Sequence, residues 1–313
     1  AWLLVSSGRT EPIGGLPGRG NGYQLMSIGS GWAAQPNPPG AACASCAPSP
    51  LPVYYFADGS RAAKRIGVAD AVAPGGAPGR LWLVSYRRGA DMDTAAGTAQ
   101  EISVTGAALG PRLRLPAGYV IEQGTRAGLL LVRQEGGPGP VRYELWGPGT
   151  RRVTRSFVNV IAASPTGIAW TPACTSGCRV HVMSLPGGGT REISLPGGTR
   201  AGQGSFSPDG RLLALLVTAG IAANGYPAAN QLWVATVATG RSTEVPGTAV
   251  GSGIGVIFGW QPGTGRLMAE VTTGTVGQSV WQIGLWQPGA AGLSTVLGRT
   301  PYNSWPVLSQ APY

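Results

Sequence analysis

Apolar residues in this chain occur in short runs separated by glycine, proline and polar turn residues, and the clearest example spans residues 205–247. SFSPDGRLLALLVTAG and then NQLWVATVATGRSTEVPG predict strand, SPDG turn, strand, loop, strand, TG turn and edge strand. In the SPDG turn, Pro208 presets φ at the first central position and Gly210 accepts a positive φ. RLLALLV is apolar without interruption, as expected of a strand buried on both faces. This segment predicts one four-stranded antiparallel sheet.

The same order of segments recurs along the whole chain. The first turns of successive units lie at Gly29, Pro74, Gln123, Pro165, Pro208 and Pro262. They are 45, 49, 42, 43 and 54 residues apart, which suits the blades of a β-propeller. We therefore predict an all-β fold, a single propeller domain over 1–313. The predicted blades span approximately 20–68, 69–116, 117–157, 158–199, 200–246 and 247–298.

The two ends of the chain predict how the ring closes. Residues 1–17 have the pattern of the outer half of a blade, and Pro306 falls on the same spacing within NSWPVLSQ. Because an open ring would expose unpaired strand edges, we predict a seventh blade shared by residues 299–313 and 1–17. The alternative is a six-bladed ring in which the termini are extra strands.

Composition supports a folded, turn-rich β protein. Charged residues make up 12% of the chain beside 52 Gly and 27 Pro, but 10 Trp and many aliphatic runs argue against disorder. The net charge is +10, and Lys64 is the only lysine. This arginine bias is typical of a high-GC genome such as that of an actinobacterium. The basic residues are not clustered in a basic-aromatic motif, so we expect no nucleic-acid partner.

The SPDG turn followed by arginine and leucine-alanine, and then by an LWV strand ending in TG, resembles the TolB-like and WD-repeat-like propellers of bacteria. The resemblance is close in 205–247, and SPTG at 164–167 and QPGTG at 261–265 are degenerate forms of the turn. It implies the propeller fold and an exported protein, since relatives with this turn are often periplasmic or on the cell surface. It implies no particular activity, because one fold serves many functions.

Four cysteines form two closely spaced pairs, Cys43 with Cys46 and Cys174 with Cys178. A four-cysteine zinc site would require loops of two distant blades to meet, and free thiols are a second alternative. Two local disulfides are the simpler interpretation, and they indicate an oxidising, extracytoplasmic compartment. No apolar run reaches the ~18 residues of a membrane span, so any membrane anchor would have to lie before Ala1.

Few residues suggest chemistry. His181, the only histidine, could be a general base, but no GxSxG accompanies it, and we favour a strand histidine that has a hydrogen-bond partner or lies at the surface. Asp91 and Asp93 could bind Ca²⁺, although a solvated acidic loop explains them more simply. Glu122 lies near an inner strand and could face the central channel and pair with an arginine. We predict no catalytic residue, no metal and no cofactor.

Two groups of residues suggest binding. The loop 220–230 extends well past a minimal hairpin, and loops on a rigid ring are common binding sites. Two W-Q-P sequences place tryptophan near turns, where an exposed indole could stack on a sugar or grip a peptide. The alternative for both tryptophans is packing between blades. The predicted binding residues are Asn224, Tyr226, Asn230, Trp260 and Trp286.

These features predict a non-enzymatic, extracytoplasmic propeller that presents its loops to a protein or a cell-envelope polymer. One alternative is a propeller hydrolase or lyase with a site at the mouth of the central channel. Another is a structural subunit of a cell-surface assembly.

Overall fold

The computed structural model describes residues 2–4, 10–17, 23–37, 50–87, 94–133, 141–172, 179–221, 227–251, 256–273 and 280–301. Every regular element in these ranges is a β-strand. No helix with the length and apolarity to cross a membrane occurs in this part of the chain.

Six sheets of four antiparallel strands, here called blades one to six, follow one another along the chain, preceded by a two-stranded sheet. The small sheet pairs β1 (Trp2–Leu4) with β2 (Thr10–Pro12). Blade one contains β3 (Tyr23–Ile28), β4 (Gly31–Pro36), β5 (Leu51–Ala57) and β6 (Lys64–Ala69). Blade two contains β7 (Ala71–Pro74), β8 (Arg80–Ser85), β9 (Ala96–Ser103) and β10 (Leu113–Ala117). Blade three contains β11 (Tyr119–Thr125), β12 (Gly128–Arg133), β13 (Arg142–Gly147) and β14 (Arg152–Val158).

The second half of the ring repeats this arrangement. Blade four contains β15 (Val160–Ser164), β16 (Gly167–Trp170), β17 (Val180–Ser184) and β18 (Thr190–Ile193). Blade five contains β19 (Thr199–Phe206), β20 (Leu212–Ile221), β21 (Pro227–Thr236) and β22 (Ser242–Glu244), and the short β23 (Val250–Gly251) also pairs with β21. Blade six contains β24 (Val256–Trp260), β25 (Leu267–Thr273), β26 (Val280–Trp286) and β27 (Ser294–Pro301). The predicted all-β propeller is confirmed.

The number of blades matches the six-bladed alternative and differs from the seven we favoured. Residues 294–301 form the outer strand of blade six, so they are not available to begin a shared seventh blade. Near the other end, β1 pairs with β2 alone. Residues 302–313, which the seventh blade would also need, lie outside the described residues.

The ring is closed by contacts between blade one and both the N-terminal segment and blade six. Ile13 and Leu16 pack against Tyr54 and Phe56 on the face of blade one that is turned away from blade two. On the turns, Gln261 of blade six donates a hydrogen bond from Nε2 to Asp58 Oδ2 of blade one, at 3.1 Å.

The core of the protein lies between neighbouring blades, and residues 212–217 of β20 show why a core strand is apolar without interruption. Leu213 and Leu215 pack towards blade four, while Ala214, which points the opposite way, packs towards blade six. All three residues are fully buried. Because successive side chains of a strand alternate between its faces, a strand covered on both sides has no polar positions.

The antiparallel topology gives the ring two different ends. The first and third turns of every blade lie at one end, here called the turn face. The second loops and the connections between blades lie at the other end, here called the loop face. At the turn face, the predicted SPDG turn is present: Gly210 has φ of 72° and its N–H donates to Ser207 O at 2.8 Å.

Candidate ligand sites in the channel and on the loop face

A cavity of about 880 Å³ occupies the centre of the ring. Its walls come chiefly from the first strands of the blades, and it reaches the first turns at the turn face. First-turn residues lining it include Gly29, Pro78, Pro165, Pro208 and Gly263. This central channel is the concave site in which a small molecule would be surrounded by protein.

Three neighbouring inner strands carry a β-bulge at the channel wall. The ladder between the first and second strands skips one residue in blades three, four and five: Glu122, Ile161 and Gly202. The corresponding ladders of blades one, two and six are regular. A bulge leaves its extra residue unpaired in the ladder and re-aims its side chain, and bulges are common next to functional sites. All three bulge residues line the channel.

Glu122 is the one carboxylic acid on the six inner strands as the structure bounds them. Desolvation by burial raises the pKa of its carboxyl group to about 7. The expected arginine partner is not found among the described residues. Arg80 also lines the channel, but its guanidinium pairs with Glu101 of its own blade at 3.6 Å.

Tyr143 and Gln123 surround Glu122 in the channel wall. Burial, and then the nearby Glu122, raises the pKa of the Tyr143 hydroxyl to about 12, so this tyrosine is neutral at physiological pH. Gln123 donates from Nε2 to Gly124 O at 2.7 Å and to Gly75 O of blade two at 3.2 Å. These bonds hold the bulged strand against the next blade, so Glu122 stands on a fixed backbone.

The second hairpin of blade five is the longest in the ring as described. Strands β20 and β21 each have ten residues and remain paired up to Ile221 and Pro227. The described residues nearest its end, Ala219, Gly220, Ala228 and Ala229, are exposed. The short β23 braces the outer side of β21 by pairing with residues 229 and 230. This extended hairpin projects at the loop face.

The predicted binding residues fall in different places. Asn230 is on β21, 8% exposed and paired in register with Thr218 and Val250, at the base of the extended hairpin. Asn224 and Tyr226, at the centre of the same predicted loop, lie outside the described residues, so their binding role stays a prediction.

Neither Trp260 nor Trp286 is open for stacking on a ligand. Trp260 is 2% exposed and donates from Nε1 to Ser205 O of blade five at 2.8 Å. Trp286 is 4% exposed and donates to Ala290 O at 3.2 Å. Each is the last residue of its strand, where the blade is still covered by its neighbours. The structure therefore places both in the packing role that was the alternative.

His181 lies on the third strand of blade four, away from the channel wall. Its ring stacks on Trp170 with centroids 5.4 Å apart, and its cross-strand neighbour on the other side is Glu192. The four residues Cys43, Cys46, Cys174 and Cys178, like Asp91 and Asp93, lie outside the described residues. Within those residues, no cluster of histidine, cysteine and acidic side chains has the arrangement of a metal site.

Sequence reasoning proposed Glu122 as a channel residue but missed the bulges. The three bulge positions are occupied by an acid, a β-branched residue and a glycine, so no residue type marks them. The available signal was the single acid in otherwise uncharged inner-strand runs such as YVIEQGT and VIAAS.

Comparisons with known proteins show the fold. The chain matches no protein-family profile and no curated protein sequence. Among solved structures it is similar to an acylaminoacyl peptidase bound to Z-Gly-Gly-Phe-chloromethyl ketone, at 11% identity and TM-score 0.58, and to that of Pyrococcus horikoshii, at 12% and 0.54. Each match covers 90% of this chain and 45% of the peptidase. TolB from Acinetobacter baumannii is also similar, at 12% identity and TM-score 0.43, covering 87% of this chain and 63% of TolB. At these identities, and with less than half of each peptidase spanned, the two peptidase matches support the β-propeller fold and carry no activity with them.

Proposed function

We propose that this chain is a non-enzymatic binding propeller that docks a protein partner on its loop face, through the extended hairpin of blade five. The observation that carries the proposal is the hairpin itself. Its two ten-residue strands stay paired up to Ile221 and Pro227, the described residues 219, 220, 228 and 229 are exposed, and a fifth strand pairs with residues 229 and 230. A hairpin that only connected two blade strands would need neither the length nor the brace.

The chemistry of the hairpin tip favours a protein over a charged envelope polymer. The segment 218–230 reads TAGIAANGYPAAN and contains no charged residue. A polyanion such as a wall phosphate polymer is held by cationic side chains, which this tip lacks. Small uncharged residues and exposed backbone instead suit close packing against another protein, and the predicted Asn224 and Tyr226 would add hydrogen bonds and an aromatic contact.

An extracytoplasmic location is part of the proposal. Its support is the spacing of the two cysteine pairs in the sequence, which favours disulfides and hence an oxidising compartment. Fractionation of the cells that produce the protein tests this directly. Recovery from the cytosol with all four thiols open to alkylation would contradict it.

Site-specific photocrosslinking in the producing cells tests the docking surface. A photoreactive amino acid at Ala228 on the hairpin should trap a discrete protein, and the same group at Gly149 in the third turn of blade three should not. Gly149 is a matched control because it is exposed, has no atom near the position of a Cβ, and lies on the turn face. Joining Ala219 to Ala229 by an Asn-Gly turn should abolish partner binding. Crosslinks from Gly149 alone, or binding that survives the shortened hairpin, would refute this site.

A second candidate function, a hydrolase or lyase in the central channel, is favoured by one observation. A carboxyl group with a pKa of about 7 is suited to general acid-base catalysis at neutral pH. If the channel is catalytic, turnover of a substrate found by screening should be lost in Glu122→Gln. Turnover that is unchanged in Glu122→Gln would exclude this second candidate function.

A further inference from the structure

We propose that the central channel binds a small organic cation, an ammonium group carried on an apolar body, through the carboxylate of Glu122. The inference is independent of the hairpin, because the channel wall is formed by inner strands and the docking surface by an outer loop. It concerns a second site with a different class of ligand.

The first step of the argument is the environment of the Glu122 carboxyl group. It stands on a bulge that turns it into the cavity, and none of the described residues hydrogen-bonds or ion-pairs with it. A buried carboxylate without a partner is costly, and proteins normally supply a cation or hydrogen-bond donors. Burial, and then the nearby Glu122, raises the pKa of Tyr143 to about 12, so this neighbour is neutral and supplies no positive charge. The missing partner is a positive charge.

The second step is the position of the other charged group in the channel. Arg80 is near the first turn of blade two and pairs with Glu101. Among the described residues that line the cavity, a ligand therefore meets one uncompensated charge, which is negative whenever Glu122 is ionised. An anion would be repelled at that point, and a neutral molecule could donate a hydrogen bond to the carboxylate but would bring no opposite charge. In a partly desolvated site the attraction between opposite charges is stronger than in water.

The third step is the shape and chemistry of the wall beside Glu122. The two neighbouring bulge positions are Ile161, which is apolar, and Gly202, where no atom occupies the space that a side chain would take. Phe206 and Met26 add further apolar surface. A cation whose body is alkyl or aryl would place its charge at Glu122 and its body against this wall. A strongly hydrated inorganic cation would gain nothing from it.

The volume of the cavity sets the size of the ligand. About 880 Å³ lies within the range of roughly 300–1,000 Å³ that is typical of small-molecule pockets. The site is therefore assigned to a small amine and not to a folded partner.

Titration calorimetry with 2-phenylethylammonium chloride at pH 8 tests the proposal, with 2-phenylethanol as the neutral probe and phenylacetate as the anionic one. The ammonium probe should bind, and the other two should bind at least about tenfold more weakly, since one lost charge interaction of 1.4 kcal/mol is a factor of ten. Absence of ammonium binding up to 10 mM, or equal binding of the alcohol, would overturn the assignment.

Two channel variants and one control locate the binding. Glu122→Gln keeps the shape and removes the charge, so it should weaken ammonium binding about tenfold or more. Gly202→Leu fills the open space and should block all probes. Gly197→Leu is the matched control, because Gly197 is exposed, lies outside the channel, and also has free space around its Cβ position. Unchanged binding in Glu122→Gln would refute the site even if Gly202→Leu failed to fold.

Binding should also depend on pH in one direction. Among the described residues, the charged and titratable side chains that line the channel with Glu122 are Tyr143, Tyr55 and Arg80. A carboxyl group with a pKa of about 7 goes from mostly neutral to mostly ionised over this interval, so wild-type affinity should rise about tenfold. Affinity that is flat with pH, or that falls, would contradict a role for Glu122, whereas Glu122→Gln should be flat.

Discussion

Two glycines of the inner strands lie in different surroundings, one at a contact between blades and the other in the channel wall. At Gly124 in blade three, a Cβ would stand 2.6 Å from the backbone nitrogen of Gly76 and 2.8 Å from Trp82 Nε1, both in blade two. At Gly202 in blade five, nothing beyond the chain neighbours lies within 4 Å of that position. One glycine lets two blades touch, and the other leaves room in the channel.

The difference indicates where the stability of the ring resides. The buried apolar residues are grouped between successive blades, so each of blades two to five is held by both of its neighbours. Blade one packs on its other face against the N-terminal segment. The channel wall contributes less packing, and it carries an acid whose ionisation is opposed by burial. A site that costs stability can be retained for function while the surrounding contacts hold the fold.

The comparison predicts that substitution by alanine destabilises the protein at Gly124 and leaves its stability nearly unchanged at Gly202. Gly124→Ala pushes a methyl group into backbone atoms of blade two, which cannot move cheaply, and should lower the free energy of unfolding by about 3 kcal/mol. Gly202→Ala adds a methyl group to open space and should change it by less than about 0.5 kcal/mol. Urea unfolding followed by tryptophan fluorescence measures both. Equal effects at the two positions would show that the blades do not meet as closely as described.

The cost of the channel acid should appear as a pH dependence of stability. The Glu122 carboxyl group has its ordinary pKa of 4.5 when the chain is unfolded, and burial raises this pKa to about 7 in the folded protein. Between these values the folded state holds the proton more tightly, so stability is greatest at low pH and falls as pH rises towards 7. This loss, about 2 kcal/mol after allowance for residual solvation, should be absent in Glu122→Gln.

The relevant measurement is the difference in unfolding free energy between wild type and Glu122→Gln at pH 4.5 and at pH 8. The variant should gain on the wild type as the pH rises. A difference that stays constant would mean that the carboxyl group is well solvated in the channel, and it would weaken the case for a missing cation there.

Local sequence specified the turns well because their interactions are local. Ser207 donates from Oγ to Asp209 Oδ1 at 2.6 Å, and Gly210 provides the positive φ, so the SPDG letters alone contain the turn. The number of blades could not be predicted from local sequence in the same way, because it depends on whether residues from opposite ends of the chain pair with each other. That choice is made by long-range packing, such as Ile13 against Phe56.

The candidate sites were predicted less completely for the same reason. The bulge at Glu122 depends on the register between two strands, and its neighbours in blades four and five share no residue type with it. The two W-Q-P sequences look alike and are near turns, but burial of their indoles is decided by the adjoining blade or by the following turn. A single sequence therefore predicts a strand, but it does not predict which residues of other blades cover the side chains of that strand.

A smaller loss of stability is predicted for one interblade hydrogen bond. Trp260→Phe keeps an aromatic ring between blades five and six but removes the Nε1 donor that Ser205 O accepts from. Because a buried carbonyl then loses its partner, the free energy of unfolding should fall by about 1 kcal/mol. The double variant of Trp260→Phe with Glu122→Gln supplies the control. Because the two residues lie in different blades, their effects on the free energy of unfolding should add. If Trp260→Phe left the free energy of unfolding unchanged, the indole would not be anchored between the two blades. The stacking role that the W-Q-P sequence predicted would then be the better interpretation.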